Sequence, residues 1–80
     1  MMKVHIKTGE HARKLVTLAC NKKYADYDID CSHGRYIIDM KSIMGMLSLA
    51  WPKEVDIEIH ASQDIQNEFY KEVNSIVCRI

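Results

Sequence analysis

The heptapeptide Thr8-Gly9-Glu10-His11-Ala12-Arg13-Lys14 holds the residue types for one kind of reaction, the capture of a phosphoryl group by a histidine. It lies where an apolar alternation (Met2, Val4, Ile6) gives way to a helical spacing, so His11 is expected at a helix N-terminus with a guanidinium two residues on. Unpaired backbone N–H groups and the positive end of the helix dipole attract an anion there, and Arg13 can hold its oxygens in bidentate fashion. The same field disfavours a second positive charge, which keeps an imidazole in its nucleophilic form. A histidine so placed can attack phosphorus and be held as phosphohistidine by the surrounding donors. The bland alternative for the same string is a surface histidine in an ordinary loop.

The elements that must position this stretch follow from hydrophobic periodicity. Residues 2–7 alternate, with Met2, Val4 and Ile6 facing inward and Lys3, His5 and Lys7 outward, as in a half-buried strand. From about Ala12 to Lys23 the apolar residues Ala12, Leu15, Val16, Ala19 and Cys20 recur at helical spacing, and Lys22 and Lys23 close the helix where cations are favoured. Tyr27, Ile29 and Cys31, a His33-Gly34 turn, and Tyr36, Ile38 and Met40 make a β-hairpin. Ser42 caps a short helix from Ile43 to Ala50, and Trp51-Pro52-Lys53-Glu54 stops it.

Val55, Ile57 and Ile59, set against Asp56, Glu58 and His60, form a fourth strand. Its acidic face complements the Lys3, His5, Lys7 face of the first strand, which favours their pairing. Beside Asp28 and Asp30 the same face is uncomfortable, and nothing in the sequence relieves it. Ser62 then caps a last helix with a docking stripe of Ile65, Phe69, Val73, Ile76 and Val77. The order β-α-β-β-α-β-α implies an α+β open-faced sandwich, a four-stranded antiparallel sheet with three helices on one face, and residues 1–80 are expected to form a single domain.

Composition narrows the function. With 48% hydrophobic residues the chain has a globular make-up, and no run approaches the ~20 apolar residues of a membrane span, so no membrane insertion is expected. Met1 to Lys7 lacks the continuous apolar block of a signal peptide, which points to a cytoplasmic location. Eleven basic against eleven acidic side chains give no overall pull toward nucleic acid. Cys20, Cys31 and Cys78 are far apart and in apolar contexts, without a metal-ligand spacing, so they read as buried apolar side chains rather than a metal or redox site. His5 and His60 fall on polar strand faces and His33 in a turn. No cofactor is implied.

Set beside Gly9-x-His11-Ala12-Arg13, the string Lys41-Ser42-Ile43-Met44-Gly45-x-x-Ser48-Leu49 gives the chain a specific likeness. The two motifs, their spacing, the element order and the Val55-Asp56-Ile57 strand resemble the histidine-containing phosphocarrier family HPr of the sugar phosphotransferase system, over essentially the whole chain. The resemblance implies a carrier rather than a turnover enzyme. His11 would accept a phosphoryl group on its δ nitrogen from enzyme I and pass it to enzyme II components, with Arg13 stabilising it. Ser42 matches the serine that a dedicated kinase marks in Gram-positive members, although a serine also suits that position simply as an N-cap. A phosphate there is favoured by the helix end and chiefly disturbs a nearby apolar surface. A helix this short leaves one or two of Ile43, Met44, Met46, Leu47 and Leu49 exposed, and Ile43, Met44 and Leu47, with Lys14, are the candidates for partner docking.

The likeness has departures. Lys14 stands where the family has proline and brings a cation close to the phosphoryl site. Glu10 replaces an apolar residue and repels an incoming phosphoryl group unless Arg13 or Lys14 neutralises it. Ala50-Trp51-Pro52-Lys53-Glu54 replaces a glycine-containing turn. A divergent regulator that binds partners through the Ser42 face, with His11 little used, is therefore the second hypothesis. An RNA-binding module using Arg13, Lys14, Lys22 and Lys23 is the third, opposed by zero net charge and the lack of interleaved aromatics.

Overall fold

Alternation of side chains gives this molecule a sheet with one apolar face, and amphipathic helices cover it. The computed structural model describes residues 1–80, the side chain of Arg79 excepted. Its strands are β1 Met2–Ile6, β2 Ile29–His33, β3 Tyr36–Asp39, β4 Lys53–Ile59 and β5 Cys78–Arg79, ordered β3-β2-β4-β1-β5 with antiparallel neighbours throughout. Helices α1 Gly9–Ala19, α2 Ile43–Leu47 and α3 Gln63–Ile76 lie on one face. This is the expected α+β open-faced sandwich, in the expected order. The fifth strand is an addition to the expected four, because two residues carry no periodicity; they pair with the free edge of β1, His5 opposite Cys78.

The core sits between the layers. Val4 and Ile6 of β1, Ile29 and Cys31 of β2, and Val55, Ile57 and Ile59 of β4 meet Ala12, Leu15, Val16 and Ala19 of α1 and Phe69 and Val73 of α3, all buried. Each large aliphatic or aromatic side chain so placed contributes about 1.5–3 kcal/mol. Tyr24, in a single 3-10 turn after α1, is buried too; its ring stands edge-on to Phe69 at 4.9 Å and its hydroxyl donates to Glu72. Burial first, and then the Glu72 carboxylate, raise its ionisation above the ordinary tyrosine range.

Strand pairing follows charge as expected, with Lys3 opposite Asp56 and His5 opposite Glu54. The awkward acidic neighbours do meet, since Asp30 lies opposite both Glu58 and Asp39. The relief is His60. Its Nε2 is 2.8 Å from an Asp30 oxygen and its Nδ1 3.9 Å from Glu58, while its backbone N–H donates to the Asp28 carbonyl. The hydrogen bond to Asp30 is the main cause of a raised His60 pKa.

Several boundaries differ from the sequence expectation. Helix α1 begins at Gly9 rather than near Ala12, because Thr8 caps it, and ends at Ala19, so Lys22 and Lys23 fall in the 3-10 turn opened by Asn21. Helix α2 ends at Leu47 rather than Ala50, with the Ser48 N–H closing onto the Met44 and Gly45 carbonyls. Ser62 holds the N-cap position of α3, but its hydroxyl makes no capping bond. Of the cysteines only Cys31 is buried, which pushes its thiol up to about 12; Cys20 and Cys78 are exposed, at a helix C-cap and on an edge strand. Tyr36, paired with His33 beside the hairpin turn on the edge strand β3, is 69% exposed rather than facing inward.

Candidate functional site

Thr8 leaves β1 in an extended conformation (φ −139°, ψ 159°) and turns the chain into α1. Its Oγ1 accepts from the His11 N–H at 3.2 Å and its carbonyl from Ala12 at 3.2 Å. The N–H groups of Gly9 and Glu10 have no acceptor among the described residues and remain available to an anion. The signal for this cap in the sequence is a threonine directly before an acidic first turn.

His11 is half-buried in that first turn, and its ring makes no hydrogen bond among the described residues. Three positions on, Lys14 is exposed and lies on the His11 side of the helix, whereas Arg13, also exposed, starts about 200° round the axis. Arg13 must use the length of its side chain to reach the His11 side. Glu10 is exposed and has Arg13 and Lys14 at three and four residues, the spacings at which helical side chains meet. No ion pair within 4.0 Å joins it to either among the described residues.

Helix α2 brings the second motif to the same end of α1. A Cβ on Gly9 would lie 3.8 Å from Leu47 Cδ2 and 3.9 Å from Trp51 Cδ1, so the first turn of α1 packs against the end of α2 and the loop after it. Met46 points into the core, while Ile43, Met44 and Leu47 are 39%, 83% and 46% exposed. Three apolar side chains of α2 therefore face solvent, more than the one or two expected, and Leu47 is the one that lies against the histidine turn. Ser42 is exposed at the far end of α2, and its Oγ accepts from the Gly45 N–H at 3.2 Å.

Two further residues of the Lys-Ser-Ile-Met-Gly string have structural roles that pattern reading missed. Lys41 Nζ donates to the carbonyls of Tyr24, Ala25 and Tyr27 at 2.9, 3.1 and 2.7 Å, spending all three protons on the loop after α1. Gly45 lets α2 approach β3, since a Cβ there would stand 2.8 Å from Ile38 Cγ2. Neither role has a local sequence signal, because the partners lie at least seven residues away. Among the described residues no group of three metal-ligating side chains comes together. Among the same residues no helix is long and apolar enough to cross a membrane.

Comparison with known proteins agrees with this geometry. No solved structure gives a significant match to the chain. The family model described as the PTS HPr component phosphorylation site matches residues 1–78, which include His11, Arg13, Ser42 and the apolar face of α2. The chain therefore belongs to the HPr family of phosphotransferase-system components.

Proposed function

We propose that the protein is a phosphocarrier that accepts a phosphoryl group on His11 from enzyme I and delivers it to enzyme II components in the cytoplasm. The observation that carries this reading is the site of His11: the first turn of a capped helix, with two unused N–H groups in that turn and an exposed apolar face alongside. In the transfer, an imidazole lone pair attacks phosphorus as the bond from phosphorus to the donor breaks. A new P–N bond replaces the old one, with no redox change and no water consumed. The free N–H groups of Gly9 and Glu10, with Lys14 and Arg13, neutralise the phosphoryl oxygens, and the cations also offset Glu10. Ile43, Met44 and Leu47, with Lys14, receive the partner, whose apolar contact excludes water from a labile phosphoramidate.

Ser42 is the regulatory position in this reading. A kinase that phosphorylates it would place about two negative charges next to Ile43 and Met44, which weakens an apolar docking surface. Incubation with phosphoenolpyruvate and enzyme I is expected to give an acid-labile phosphoryl group that is lost in His11→Ala. Labelling that persists in that variant, or a protein that stays unmodified where an ordinary family member is labelled, overturns the assignment.

A further inference from the structure

The two edges of the sheet differ. β5 has only two residues and offers little to pair with, whereas β3 presents Tyr36-Ile37-Ile38-Asp39 in unbroken register with β2 and without the proline or lysine that blunts an edge. The Met40 N–H donates to the Ile29 carbonyl, which fixes the phase of this antiparallel ladder. Cys31 and Ile38, and His33 and Tyr36, are then the pairs that exchange backbone bonds, and Ile37 and Asp39 turn their N–H groups to the open side. Ile37 is 73% exposed on the face without helices, in a row whose other members are Ser32, Asp56 and Lys3, so no apolar neighbour in that row accounts for it. Arg35 and Asp39 flank it at equal spacing with opposite charge, and neither joins an ion pair among the described residues. Asp39 lies opposite Asp30, whose own cation, His60, is already engaged.

We propose that β3 is a dimerisation edge whose occupant is a second copy of this chain, paired antiparallel about a two-fold axis through Ile37. In this register Ile37 meets Ile37, Tyr36 meets Ile38 twice, and Arg35 of each copy meets Asp39 of the other. The Ile37 N–H and C=O exchange bonds with those of the second Ile37, and the missing cation reaches Asp39. Other registers fit worse. An axis through Ile38 sets Ile37 against Asp39 and Tyr36 against the buried Met40, and an axis through Tyr36 leaves Asp39 without a partner. An axis between residues would pair side chains from opposite faces. A foreign strand could take the backbone bonds, but opposite charges placed evenly about one residue match an edge with the same sequence reversed, as an isologous contact requires. A formal net charge of zero adds no long-range repulsion between copies. The two five-stranded sheets become one continuous sheet with β5 at both ends, and the proposal is independent of chemistry at His11.

The test is sedimentation equilibrium of the full chain, read together with amide hydrogen exchange. So short an edge belongs to the weak class of interfaces, and the average mass is expected to climb from one chain toward two between about 10 µM and about 1 mM. Exchange at the Ile37 N–H is expected to slow severalfold over the same range. Ile37→Lys should abolish both changes, since it sets two like charges opposite each other. Arg35→Glu and Asp39→Lys should each stay single chains, yet an equimolar mixture of the two should dimerise, because the mixed pair restores both opposite-charge contacts. A chain that stays single at every concentration, and so leaves the edge to a strand of another protein, overturns the proposal. So does a dimer that survives Ile37→Lys, or a mixture no more associated than its components. Asp39→Lys removes the carboxylate that accepts from the Lys41 N–H; should it fail to fold, Ile37→Lys and the Ile37 exchange decide.

Discussion

At its C-terminal end α1 runs into a region where polar groups are engaged, whereas at its N-terminal end they are left open. After Ala19, Lys41 caps three carbonyls of the Tyr24–Tyr27 loop, Tyr24 donates to Glu72, and Lys23 lies 2.9 Å from Glu68 on α3. Before Ala12, the N–H groups of Gly9 and Glu10 and the indole of Trp51 have no acceptor among the described residues, and Met44 stands 83% exposed nearby on α2. One helix therefore joins a finished end to an unfinished one. Unmade hydrogen bonds and uncovered apolar surface cost stability, so they persist where a ligand or partner completes them.

The largest effect expected from breaking this contrast is at the finished end. Lys41→Met keeps the aliphatic stem but removes the three donated bonds, and should lower unfolding free energy by about 2 kcal/mol in urea titration while phosphoryl uptake at His11 is retained. Uptake lost in a protein that remains folded would show that the two ends are not separable. Gly45→Ala should cost about 1 kcal/mol, as crowding of Ile38 (about 1–3 kcal/mol) exceeds the helix-propensity gain (about 1 kcal/mol). Adding Ile38→Ala should make the Gly45→Ala step neutral or favourable, and a cycle without such coupling would remove the close-approach explanation.

At the open end the contrast inverts. Met44→Asp should change stability by no more than about 0.5 kcal/mol, because the side chain is already in water, yet slow transfer from enzyme I by weakening the docking face. Equal transfer rates would take α2 out of the docking surface. The smallest effect is electrostatic. His60, half exposed, should titrate above its ordinary value of 6.5 because Asp30 and Glu58 hold its proton, and Asp30→Asn should bring the midpoint down. The folded state binds this proton more tightly, so the stabilisation is complete below the unfolded value and is lost as pH rises through the folded one. A midpoint unmoved by Asp30→Asn in NMR titration would dismiss the contact.

Much of the architecture was legible because it is written in periodicity. Met2, Val4 and Ile6, or Val55, Ile57 and Ile59, can be assigned to one face from spacing alone, since a strand alternates whatever it packs on. Helix ends were less legible. Thr8 and Asn21 set the bounds of α1 and of the turn after it through bonds to N–H groups two or three residues on, and such caps compete with periodicity that runs past them. In the site, His11 and the exposed face of α2 could be named from their motifs. That Lys14, rather than Arg13, shares the His11 side depends on where the helix starts, and a shift of three residues decides whether that side chain lies within a helical turn at all.

The sequence by itself determined most of the residues that lie inside, the order of four strands and three helices, and the two motifs, because apolar spacing and residue chemistry act locally. Only the tertiary structure decided that Leu47 and Trp51 meet Gly9, that Lys41 closes the loop of Tyr24, and that His60 settles the carboxylates of β2 and β4. Apart from His60 and its near neighbour Glu58, these contacts join residues from 14 to 42 positions apart. Such contacts depend on how the layers pack, and no local pattern encodes them.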